Sequence, residues 1–168
     1  RSVYNSMTSR LLVDKIEGKS TSSHVIMPAG HVIQQVRYVN TSSSHIQTSS
    51  TSNVATGIKV TITPKASGNK ILLQSFLGMV HKQSAGNVQI ALYLDGSQMT
   101  DTGAYWGGYM NAGTNTADYS SRVGSLEYTT TNTNALLFEL YAKVNDGNNV
   151  YIHHGNGSSS LIATEVQG

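Results

Sequence analysis

The chain has 168 residues, a net charge of +2, only 12% charged side chains, 16 Gly, 2 Pro and no Cys, which excludes a disulfide scaffold and thiolate metal sites. With 22 Ser, 17 Thr and 13 Asn it is rich in residues that favour turns and the solvent faces of strands, and a helical bundle is excluded. Its 11 basic residues are scattered and its apolar runs, Ala135 to Phe138 among them, are at most five residues long, so nucleic acid is not an expected partner, membrane insertion is not expected, and a soluble chain is.

In chain order, residues 1–27 hold two short apolar blocks, Leu11, Leu12, Val13 and Ile16, then Val25, Ile26 and Met27, joined by a polar linker. Such a stretch buries little by itself and reads as a stem or lead-in segment. Position 1 is Arg, with no signal-peptide core behind it, and the expectation is a piece of something longer. The main domain, 28–168, opens with a strand from His31 to Val39. The Ser/Thr-rich tract from Asn40 to Asn53 then reads either as a mobile loop or as polar edge structure. Ile58, Val60 and Ile62 alternate with Lys59, Thr61 and Thr63 before Pro64, the pattern of a strand buried on one face.

Lys70 to Lys82 predicts a long strand with Ile71, Leu73, Leu77 and Met79 on one face and Leu72, Phe76 and Val80 on the other. Both faces being apolar, it belongs inside an assembly. Ser84 to Asn87 turns into a strand carrying Val88, Ile90, Leu92 and Leu94, and Asp95-Gly96 signals the next turn. From Asp101 to Ser121 no period is sustained. Strands resume at Arg122 to Thr129, Ala135 to Val144, Val150 to His154 and Leu161 to Val166. About eight strands with regular turn signals and no helix predict an all-β fold, an antiparallel β-sandwich of jelly-roll type.

Three segments carry a resemblance. Pro28-Ala29-Gly30-His31-Val32-Ile33-Gln34-Gln35-Val36, then Thr56 to Pro64 with Ser67 and Lys70-Ile71-Leu72, and the closing Ser160-Leu161-Ile162-Ala163-Thr164-Glu165-Val166 are similar to motifs of a C-terminal knob domain in phage tail-fibre and other virion appendage proteins; Leu92 to Ser97 resembles its hairpin. The resemblance brackets 28–168 but leaves Tyr105 to Tyr119 unmatched. It implies a TNF-like or lectin-like knob at the tip of a homotrimeric fibre, located on the virion and extracellular when functional. The motif residues themselves, Ile58, Val60, Ile62, Ile71 and Leu73, read as core. Two-sided apolar strands in so polar a chain point separately to surface covered by neighbouring copies, which closed three-fold symmetry provides.

Ligand contact is expected in the aperiodic stretch. Rigid rings suit the C–H faces of sugars, and carboxylates and amides suit their hydroxyls: Tyr105, Trp106, Tyr109 and Tyr119 for stacking, Asp101, Asn111, Asn115 and Asp118 for hydrogen bonds. The same rings equally serve to anchor a long loop, and for Trp106 packing is the favoured reading. His153-His154, on a strand, point to opposite faces and cannot chelate one ion within a chain; one of them repeated about a three-fold axis is the remaining metal arrangement, and a hydrogen-bonded turn histidine outweighs it. No metal or cofactor is expected. No G-x-S-x-G elbow occurs, Glu127, Glu139 and Glu165 could supply paired carboxylates for glycoside cleavage without a spacing that singles out a pair, and no enzyme is expected. The sequence therefore predicts a trimeric receptor-binding tip that attaches a virion, through the rest of its fibre, to a host-surface glycan or other receptor. The alternative is a structural virion protein, a fibre-trimerising cap or capsid decoration, without receptor binding.

Overall fold

The alternating segments become strands wherever a turn signal separates them. The computed structural model describes residues 29–40, 44–99, 110–112, 118–153 and 158–168; the stem reading for 1–27 lies outside them. Eleven strands are described: β1 (Val32–Asn40), β2 (Ile46–Thr48), β3 (Val54–Ile62), β4 (Lys70–Lys82), β5 (Gly86–Leu94), β6 (Ser97–Gln98), β7 (Met110–Ala112), β8 (Asp118–Thr129), β9 (Leu136–Val144), β10 (Val150–Ile152) and β11 (Ser159–Val166). All pair antiparallel, and no helix occurs among the described residues.

They form two sheets. In the first, β1, β11 and β4 lie side by side, β8 pairs the far side of β4, and the short β10 and β2 continue beside the C-terminal half of β4. The second runs β3, β9, β5, with β6 and β7 also paired to β5. Strand pairs nest: β1 with β11, β2 with β10, β3 with β9, β4 with β8, β5 with β7. This is a long antiparallel ribbon rolled into a sandwich, the jelly roll that the turn spacing predicted.

The core is supplied by period-two alternation on facing strands. On β3 the buried side chains are Ile58, Val60 and Ile62; on β4 Ile71, Leu73 and Leu77; on β9 Leu136, Phe138, Leu140, Ala142 and Val144. Each such aliphatic or aromatic side chain contributes roughly 1.5–3 kcal/mol by leaving water. Bulges interrupt the alternation. On β4 the register slips between Leu77 and Val80, so three steps on β4 face two on β8. Val80 thereby joins the buried side with Leu77, and His81 takes the outer face. The expected grouping of Val80 with Leu72 and Phe76 is corrected by this one extra residue.

Boundaries shift for local reasons. Within the Ser/Thr tract, β2 pairs β10, so part of that tract is polar edge structure. Asp118–Ser121, expected to be aperiodic, form the first part of β8, with Asp118 to Ser120 paired to Lys82 to Val80. His153 ends β10 at φ 62°, a left-handed conformation, so it does not continue the strand as expected; His154 is not among the described residues. Asp95 and Gly96, at φ 49° and 79°, make the two-residue turn joining β5 to β6.

The sandwich has two poles. At the proximal pole the chain joins at Ala29 to His31, and the turns 63–69, 95–96 and 130–135 lie beside the C-terminus, tied by Gly30 N–H to Gln167 O and Gly68 N–H to Thr130 O, both 2.8 Å. At the distal pole β1 ends, β8 and β11 begin, and the turns 83–85 and 145–149 meet, with Gln83 N–H donating to Asn149 O at 3.2 Å.

Candidate functional site

Each pole is closed by a buried ionisable side chain. At the proximal pole the Glu165 carboxylate, fully buried, accepts from Lys65 N–H at 2.8 Å, Asn69 Nδ2 at 2.6 Å and Gln34 Nε2 at 2.5 Å, joining β11 to β1 and to the β3–β4 turn. Three donors compensate the desolvation that an isolated carboxylate would suffer. At the distal pole Lys82, also fully buried, donates to Asp146 Oδ2 at 2.9 Å, while Asn148 N–H and Nδ2 hold the same carboxylate. Burial pushes the Asp146 carboxyl up, but the hydrogen bonds from Lys82 and Asn148 and the lysine's charge outweigh it and hold the group below its ordinary 3.8. Gly86, at φ 130°, leaves the room that this carboxylate fills; a Cβ there would run into it. These groups fix the frame and the loops it carries.

Of the predicted contact residues, Asp101, Tyr105, Trp106, Tyr109 and Asn115 lie outside the described residues. Asn111 pairs Asn87 at the start of β5, and Asp118 pairs Lys82 at the end of β4, so the backbone brings both to the distal pole. Tyr119 follows on the outer face of β8. It is 53% exposed and stacks on His81, ring centroids 4.2 Å apart and 5° from parallel. His81 in turn stacks on Tyr151 of β10 at 5.4 Å, and His45 meets Tyr151 edge-on at 4.8 Å. Tyr151, His81 and Tyr119 are cross-strand neighbours in register, which is why three rings from three strands line up. Beside them Tyr151 Oη and Asn149 Nδ2 donate to Gln83 Oε1 at 3.4 and 3.3 Å. Rings with neighbouring amides are the chemistry that suits a sugar face and its hydroxyls.

Of this ring row the sequence singles out Tyr119 and does not show His81, Tyr151 and His45 as its neighbours. His81 escaped because the bulge that turns it outward leaves no mark in the alternation. A second row was also missed. About 30 Å along β4 from His81, the outer face carries Leu72 above a groove of about 690 Å³ lined also by Gln35, Gln74, Ser125, Glu127 and Thr164. Glu127 pairs with Lys70 at 2.7 Å on this face, with both side chains about half exposed.

The glutamates expected as a possible pair sit apart: Glu127 on the outer face of the first sheet, Glu139 on the second, where it accepts from Gly57 N–H at 3.1 Å, and Glu165 inside the proximal pole. His153 is buried, its Nδ1 3.3 Å from Ser159 Oγ, as a hydrogen-bonded turn histidine would be. Among the described residues no three His, Asp or Glu side chains form a cluster able to hold a metal ion.

No family model matches the chain, and no curated protein matches it. In structure it is similar to the C-terminal domain of EclA, a sugar-binding protein, at TM-score 0.34 and 10% identity over 88% of this chain and 89% of that one. It is similar to dimeric latent PorU from Porphyromonas gingivalis at TM-score 0.41 and 11% identity over 90% of this chain and 14% of that one. A chain of infectious bursal disease virus Gx strain matches at TM-score 0.32 and 16% identity over 90% of this chain and 42% of that one. The chain thus spans less than half the length of the last two.

Proposed function

We propose that the chain is the receptor-binding knob of a virion appendage, a phage tail-fibre tip, working as a homotrimer that attaches the particle to a glycan on the host surface. The observation that carries this reading is polarity. The first described residues, Ala29 to His31, enter the sandwich at one pole, and the backbone at Asn111 and Asp118 and the ring row ending in Tyr119 lie toward the other. Chain entry at one pole and an aromatic surface with an exposed tyrosine toward the opposite one is an arrangement that suits an attachment tip. The motif resemblance over 28–168 supports the same reading. Its mechanism is adhesion and involves no reaction: three modest sites fixed on one rigid body act at high effective concentration.

Glycan-array binding and whole-cell adsorption test it, comparing wild type with Tyr119→Ala and with Tyr105→Ala/Tyr109→Ala. A tenfold loss at each site compounds across three linked sites to a loss of about 10² or more in attachment. Unchanged adsorption by both variants, with fold retained, discards the reading. A second reading, a structural cap or decoration without receptor binding, is favoured by the apolar outer face of the first sheet. It expects those variants to be silent and deletion of the domain to abolish fibre assembly.

A further inference from the structure

Seven large apolar side chains stand exposed among the described residues, and six of them, Val32, Val39, Leu72, Phe76, Tyr119 and Val123, belong to the sheet built on β1, β11, β4 and β8. The seventh, Val54, is on the other sheet, whose outer face carries Lys59, Thr61, Glu139 and Lys143 together with half-buried Leu137 and the stacked rings of Tyr93 and Tyr141. Across the first sheet one register row reads Val39, Ser160, Phe76, Val123, with Val39 39%, Phe76 42% and Val123 65% exposed. Four strands at their usual spacing make this row about 14 Å wide. The next two rows read Arg37, Ile162, Gln74, Ser125 and Gln35, Thr164, Leu72, Glu127, mostly amides and hydroxyls around the groove at Leu72. Charge on the face is small: Arg37, and the Lys70–Glu127 pair that neutralises itself.

We infer that this face, centred on Phe76, is where copies of the chain meet about the three-fold axis. The inference rests on the attachment reading for its copy number and names the surface that reading leaves open. The occupant is another copy because the row is apolar at both lateral edges, Val39 on β1 and Val123 on the edge strand β8. One copy's Val123 edge therefore meets the next copy's Val39 edge, a head-to-tail contact that repeats until the ring closes. Nearly charge-balanced, the face does not repel its own copies, whereas a foreign partner recognised by charge would find little to read. The three Phe76 rings then meet near the axis, the amides around Leu72 form a polar margin, and the edge of β8 that no described strand pairs is covered. The ring row at Tyr119 lies toward the distal end of the same strands, away from the groove.

The test uses the whole 168-residue chain at micromolar concentration. Light scattering should give three times 18.0 kDa for wild type and 18.0 kDa for Phe76→Asp and Val123→Lys, with circular dichroism unchanged. Because the chain has no native Cys, oxidised Val39→Cys/Val123→Cys should run on a non-reducing gel as a ladder up to three copies, and either single variant no further than two. Should Phe76→Asp fail to fold, Val123→Lys, at a largely solvated position, and the ladder decide the matter. A trimer that survives both substitutions and gives no ladder overturns this surface while the attachment reading stands. A monomeric wild type overturns the trimer and the surface together. Lost glycan binding in Tyr119→Ala that remains trimeric leaves this surface supported.

Discussion

Glu165 and Lys82 show how a single side chain governs an end of the sandwich. A two-sheet core is open at both poles, and here each opening is filled by a charged group whose partners come from distant sequence, Gln34 for Glu165 and Asp146 for Lys82. Lys82 is buried while Asp146 stands at the surface, so Asp146→Ala removes the anionic acceptor of a buried ammonium and should cost about 1–3 kcal/mol at neutral pH, read from urea unfolding. Its pH dependence has a definite sign. The folded-state carboxyl is held below 3.8, so its contribution is complete above that value and is lost as pH falls through the lower folded value. The gap between wild type and variant should therefore stay constant from pH 7 to pH 5 and narrow below 3.8; a gap that is the same at pH 3 as at pH 7 contradicts the pairing.

At the scale of the strand, β4 is the organising element, flanked on one side by β11 and β10 and on the other by β8. Its bulge depends on close approach: a Cβ on Gly78 would collide with the carbonyl oxygen of Ser158, and Ser121 Oγ donates to Gly78 O at 2.7 Å across the irregularity. Gly78→Ala should therefore destabilise by about 1–3 kcal/mol, because backbone must move to admit one methyl. Stability within 0.3 kcal/mol of wild type would contradict that rigidity. The strands themselves were legible in the sequence, since Ile58, Val60, Ile62 and the Leu136 to Val144 series follow a period of two. The bulge was not, because an extra residue keeps the apolar content and changes only which side it faces. Hence alternation alone puts Val80 on the wrong face and does not show His81 beside Tyr119. The sequence marks Glu165 as part of a closing motif and as a free carboxylate, not as a buried one; its partners lie 96, 100 and 131 residues away, beyond any local pattern.

On the scale of the whole molecule, the nested pairing means that nearly all ladders join an early strand to a late one. Sorted about residues 100–109, the ladders β1–β11, β2–β10, β3–β9, β4–β8, β4–β10, β4–β11, β5–β7 and β5–β9 all cross that segment, and among the ladders of the described residues β5–β6 alone does not. Such distant closures make folding slow, in the millisecond-to-second range or longer. They also make the two halves complementary strangers. Expressed separately, a fragment ending at Met99 and one starting at Met110 each lack a partner for almost every backbone donor and should remain unstructured. Mixed, they should zip into one body whose circular dichroism matches the uncut chain. Independent folding of either piece would contradict the rolled ribbon.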